Sequence, residues 1–141
     1  MKFTLFILAT LLSVTFLGTS AKYVKFINHC PYNIYFWAVG PPASHIDGGD
    51  SFRSMVPGNG GSVIHAMVNT ERFGGGLSLK MRDLDHYAGP AGIIQVEYNL
   101  EESKGNLWYD LSAVDCDMNA GPANPMYCRM YFPLMERRRV D

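Results

Sequence analysis

Apolar and polar residues alternate with period two through much of the chain, and the alternation is clearest between Gly92 and Val114. There GIIQVEYNL is followed by a polar, glycine-containing EESKGN and then by LWYDLSAV, a pattern that predicts two strands joined in a hairpin. Ile94, Val96, Tyr98 and Leu100 share one face of the first run, with Gln95, Glu97 and Asn99 on the other. In the second run Leu107, Tyr109, Leu111 and Ala113 lie opposite Trp108, Asp110 and Ser112. Antiparallel pairing has to bring the two apolar faces together. One register that does so pairs Leu100 with Leu107, Tyr98 with Tyr109, Val96 with Leu111 and Ile94 with Ala113. The same register sets Glu97 directly opposite Asp110. Like charges at roughly 4.5–5.5 Å between Cβ atoms destabilise a sheet unless a cation is near or the pair is used. A slip of two residues would keep the faces and separate the carboxylates.

The pattern predicts further strands at Tyr23–Asn28, Tyr32–Val39, Ser62–Val68 and Leu77–Arg82. Tyr32–Val39 is almost wholly apolar, as suits a central strand covered on both faces. Asn-His-Cys-Pro (28–31) and Gly58–Gly61 have turn chemistry. The segment 40–57 is a turn-rich excursion with a short strand near Phe52, and Arg129–Pro133 would form a last strand. No amphipathic helix stands out after the first 21 residues. Seven or eight short strands joined by turns predict an all-β antiparallel sandwich.

Residues 1–21 differ from the rest. Lys2, a largely apolar run from Phe3 to Leu17 and the small residues Thr19, Ser20 and Ala21 read as a cleaved signal peptide, too short to span a bilayer comfortably. The mature chain would run from Lys22 to Asp141. Residues 22–133 would form one sandwich domain and 134–141 a charged tail. No second apolar run is long enough for a membrane span. The net charge of the whole chain is −1, which argues against nucleic acid and anionic membranes as partners. Secretion makes a disulfide the expectation for Cys30, Cys116 and Cys128. Cys116 and Cys128 bracket a Gly/Pro/Asn-rich loop and are the first choice. Cys30 is then free or joined to another chain, and its pairing with Cys116 or Cys128 is the alternative.

Other chemistry is thinly represented. His29, His45, His65 and His86 form no metal-ligand spacing, so neither metal nor cofactor is expected. His65 and Met67 share a phase of their strand, a faint copper signal against which a core or surface histidine is the ordinary reading. Gly74–Gly76 precedes no helix and so does not suggest phosphate binding. Tyr32, Tyr35, Phe36 and Trp37 offer stacking surfaces for sugars, but consecutive aromatics on a central strand are mostly core. No N-glycosylation sequon is present.

Four segments carry a family resemblance: FINHCPYNIYFWAV, the Pro57-Gly58 turn leading into SVIHAMV, GGLSLKMR, and above all VEYNL followed by LWYDLSAV. Over roughly residues 23–132 the chain resembles the small secreted thaumatin-like proteins of fungi. The resemblance implies a β-sandwich fold, a secreted or cell-wall location, and a role in wall remodelling at germination, in growth or in host contact. It also implies an acidic cleft in which Arg82, Glu97 and Asp110 take family positions, Leu107 replaces a second Asp, and most of the family's disulfides are missing. Arg82 would orient or neutralise Glu97 and Asp110 and bind ligand with them. The expectation is therefore binding of wall β-glucan. A weak endo-β-1,3-glucanase using Glu97 and Asp110 as its catalytic pair is the alternative, and a secreted effector or antigen binding a host surface protein is another.

Overall fold

The computed structural model describes residues 22–85, 88–117 and 119–128. Seven strands carry the fold: β1 (Tyr23–Asn28), β2 (Ile34–Val39), β3 (Arg53–Val56), β4 (Gly61–Ala66), β5 (Leu77–Arg82), β6 (Ile93–Glu101) and β7 (Asn106–Asp115). Helix among the described residues is limited to single 3₁₀ turns at Pro42–Ser44, Asp50–Phe52 and Glu102–Lys104. The strands form two antiparallel sheets, a two-stranded β1–β4 layer and a five-stranded layer in the order β3-β2-β5-β6-β7. The expected all-β class is thus observed. No helix among the described residues is long and apolar enough to cross a membrane. The leader at 1–21, the strand expected at Arg129–Pro133, the tail at 134–141 and His86 lie outside the described residues.

β1 and β5 occupy the predicted ranges. β2 starts two residues late because the side chain of Asn28 organises the preceding turn. Its Nδ2 donates to the carbonyls of Tyr32 (2.8 Å), Val56 (3.0 Å) and Pro57 (3.1 Å), and its Oδ1 accepts from the Cys30 N–H (3.0 Å). A buried amide satisfied in this way fastens the end of β1 to the end of β3. The short strand expected near Phe52 is β3, which pairs with β2 from Ile34↔Val56 to Trp37↔Arg53. β4 begins at Gly61 and stops at Ala66, short of the predicted Val68. Beyond it Thr70, fully buried, exchanges hydrogen bonds with the backbone of Leu100 and holds this segment against β6.

The hairpin has the predicted pairing over most of its length: Leu100↔Leu107, Tyr98↔Tyr109, Glu97↔Asp110 and Val96↔Leu111. The predicted Ile94–Ala113 pair is not formed. Gln95 still faces Ser112, but Ile93 faces Asp115, so Ala113 and Val114 together stand opposite Ile94 in a bulge. The bulge brings the end of β7 to Cys116, whose disulfide to Cys128 closes the loop as first expected. Gly92 makes room for it. Its N–H donates to Pro125 O, and a Cβ there would strike the sulfur of Cys128. Cys30 is a half-buried free thiol.

The core lies between the layers. Ile34, Phe36 and Ala38 of β2, Leu77, Leu79 and Met81 of β5, and Ile94, Tyr98 and Leu100 of β6 meet Val24 and Phe26 of β1 and Val63 of β4. Two strands cannot roof five. The far edge of the larger sheet therefore stays in solvent, and Tyr109 is 76% exposed although its phase is that of the core face.

Candidate functional site

The outer face of the five-stranded sheet carries the polar residues of the alternation. Its register places Val39, Ser78, Glu97 and Asp110 side by side across β2, β5, β6 and β7. One step along the strands lies the row of Arg53, Trp37, Lys80, Gln95 and Ser112. On the other side of the first row, Asn99 faces Trp108. The first row, together with Asn99 and Trp108, borders an open depression of about 440 Å³, to whose lining Leu77, Tyr98 and Tyr109 also contribute. Gly76 lies at its margin, so close to the Tyr98 carbonyl that no side chain fits there.

Glu97 and Asp110 are both exposed, and Glu97 makes no hydrogen bond or ion pair among the described residues. Asp110 accepts one bond, from the N–H of Leu111 at 2.8 Å. By register Lys80 is one diagonal step from Glu97, but its ammonium lies 3.7 Å from Asp115 instead. Gln95, buried between them, donates to the same Asp115 carboxylate and accepts from Ser78 Oγ. The carboxylate pair therefore carries its negative charge into the depression without a cation among the described residues.

Arg82 does not neutralise the pair. It lies on the same face but four residues along β5 from Ser78, about 13 Å away at 3.3 Å per residue. Only 6% of it is exposed. Its guanidinium donates to the carbonyls of Leu84, Asp85 and Gly89 and lies 5.9 Å from the centre of the Trp37 ring. Its task is to tie Leu84, Asp85 and Gly89 to the end of β5, with a cation–π contact to Trp37 of β2. Leu107, where the family resemblance expects a second Asp, has the opposite phase from Asp110 and is not among the residues lining the depression.

Of the early aromatics Phe36 is core and Tyr32 packs half-buried against it, whereas Trp37, only 4% exposed, is buried on the outer face against Arg82, and Tyr35 is half-buried. Two exposed aromatics line the depression, Tyr109 and Trp108, the latter 64% exposed; Trp108 is the one in the polar phase, a residue that sequence reasoning placed on that face without giving it a role. Its signal was there, since an indole in the polar phase of an alternating strand has no core to enter. His65 is half-buried on the core side of β4. Its Nε2 lies 3.0 Å from the hydroxyl of Tyr98, and burial lowers its pKa from the ordinary histidine value. Among the described residues no three His, Cys, Asp or Glu side chains are grouped to hold a metal ion.

No family model, curated protein or solved structure matches the chain.

Proposed function

We propose that this chain is a secreted protein that works at a cell surface by binding a wall glycan, β-1,3-glucan first, on the outer face of its five-stranded sheet. The observation that carries the reading is the depression in which the unneutralised Glu97–Asp110 pair lies beside the exposed indole of Trp108. An aromatic face packs against the C–H face of a pyranose, and carboxylates accept hydrogen bonds from its hydroxyls. The resemblance of VEYNL and LWYDLSAV to fungal thaumatin-like proteins supports a wall-associated role in germination, growth or host contact. The disulfide and a fold with no long apolar helix among the described residues are compatible with a soluble extracellular protein.

The same pair supports a second reading, a weak endo-β-1,3-glucanase, because a retaining mechanism uses two carboxylates about 5 Å apart and direct cross-strand partners carry Cβ atoms roughly 4.5–5.5 Å apart. Their exposure favours binding instead. A glycosidase holds its acid and nucleophile in a site that excludes water around the scissile bond, and both side chains here are exposed on an open face.

The test is retention of residues 22–141 on insoluble β-1,3-glucan, chitin and whole fungal walls, with the supernatants assayed for reducing sugar. Retention on β-1,3-glucan without sugar release is the expected result. Sugar release that disappears in both Glu97→Gln and Asp110→Asn would establish the hydrolase. No retention on any polymer would end both glycan readings and leave a host protein as the ligand to seek.

A further inference from the structure

The two layers are fastened at opposite ends by chemically different devices. Along the β1–β4 ladder, Asn28 faces Gly61 at one end, while Val24 faces His65 near the other. At the first end the Asn28 amide bonds three carbonyls and one N–H, and the Gly60 N–H donates to the Asn28 carbonyl at 2.7 Å. None of these groups titrates in the physiological range. At the second end the fastening passes through Tyr98 of β6. Its hydroxyl lies 3.0 Å from His65 Nε2 and accepts from the Val68 N–H at 3.2 Å.

The bond count assigns the histidine tautomer. Tyr98 is 3% exposed, and its hydroxyl oxygen already accepts from Val68. The acceptor for its own proton among the described residues is His65 Nε2. Nε2 must then be the bare nitrogen of a neutral ring. A proton on Nε2 turns that acceptor into a donor, and the phenol hydrogen loses its partner inside the protein. The new imidazolium meets no compensating charge. The side chains of the core face around this pair are Val24 and Phe26 from β1, Val63 from β4, Phe36 from β2, Leu79 from β5, Val96 and Tyr98 from β6, and Tyr109 and Leu111 from β7. The titratable groups among them are the phenols of Tyr98 and Tyr109, neither of which offers a negative charge at acid pH, and burial raises the pKa of Tyr98 further.

We propose that the His65–Tyr98 bond is an acid-sensitive latch between the two sheets. Protonation of His65 takes the acceptor from the buried phenol hydrogen and puts an uncompensated charge beside it, which loosens the layer at the His65–Val68 end, while the Asn28 end stays fastened. The bonds between Thr70 and Leu100 lie just beyond Val68 and confine the opening to the segment before them. Burial already lowers the His65 pKa in the folded chain. Between that lowered value and the unfolded value of about 6.5, the unfolded state binds more protons than the folded one, so stability falls as pH drops through this window.

Residue-resolved amide exchange on the full mature chain, corrected for the intrinsic pH dependence of exchange, tests the latch at about pH 7.5 and about pH 5. The Val68 amide should lose protection several-fold at the lower pH relative to the amides of Cys30 and Gly60, with a midpoint matching the His65 ring titration followed by NMR. In His65→Gln, which keeps a polar side chain but cannot titrate, the ratio should not change with pH. The latch is refuted by a ratio that is constant in the wild type, by an equal loss in His65→Gln, or by a midpoint away from the His65 titration. If His65→Gln does not fold, the match of the two wild-type midpoints decides alone.

Discussion

Glu97 on β6 and Asp110 on β7 are direct cross-strand partners, and no ion pair reaches either of them among the described residues. Two like charges in that position oppose the hairpin they sit on. Removing one should therefore stabilise the fold. Glu97→Gln is expected to raise the thermal midpoint, by an increment of about 0.2–1 kcal/mol, while weakening any ligand that uses the pair. A gain in stability joined to a loss of binding is what a functional site predicts. A lower midpoint in Glu97→Gln would show that the carboxylate is held by a stabilising contact.

Asn28 should be among the most sensitive positions for stability. Asn28→Ala leaves the buried carbonyl of Val56 without its donor and unties the turn before β2. A loss of about 2–3 kcal/mol is expected, read as a shift in the urea midpoint at unchanged slope.

The disulfide spans 12 residues between Cys116 and Cys128. Replacing both cysteines by serine should cost about 3 kcal/mol. Peptide mapping under non-reducing conditions should recover the linked pair and find Cys30 as the alkylatable thiol in the unfolded chain. Gly92→Ala should resemble the loss of the disulfide, because its Cβ would occupy the space of the Cys128 sulfur and the Met126 carbonyl. Nearly wild-type stability in Gly92→Ala would contradict that packing.

The two tryptophans of the outer face differ in role, Trp37 being buried and Trp108 exposed. Trp37→Ala removes a buried ring from under Arg82 and should destabilise by about 3–5 kcal/mol. Trp108→Ala should leave stability within about 0.5 kcal/mol, as surface substitutions do, yet reduce glucan retention by at least about fivefold, the equivalent of 1 kcal/mol at an aromatic contact.

Much of this was legible in the alternation. The faces of β5, β6 and β7 follow from period two, and with them the placing of Glu97 opposite Asp110. Three features were not legible, each for a physical reason. The bulge at Ala113 and Val114 adds a residue without breaking the local pattern, so only the completed ladder reveals it. The partners of Arg82 are the backbone carbonyls of Leu84, Asp85 and Gly89, and a carbonyl carries no side-chain signal by which the sequence could single it out. The exposure of Tyr109 reflects a two-stranded layer too narrow to cover β7, a property of the whole sandwich and not of the residues around Tyr109. Trp108 was on the correct face from the start, but period two ranks an indole and a serine alike.

The most direct test of the central claim uses the two tryptophans of the chain, Trp37 and Trp108. Trp37 is buried and Trp108 is in solvent, so a ligand seated in the depression should change the emission of Trp108 alone. Titration with soluble β-1,3-gluco-oligosaccharides should shift the fluorescence to the blue and saturate. The change should vanish in Trp108→Phe and move to higher saccharide concentration in Glu97→Gln. An unchanged spectrum at every concentration, or an equal shift in Trp108→Phe, would contradict a glycan site on this face.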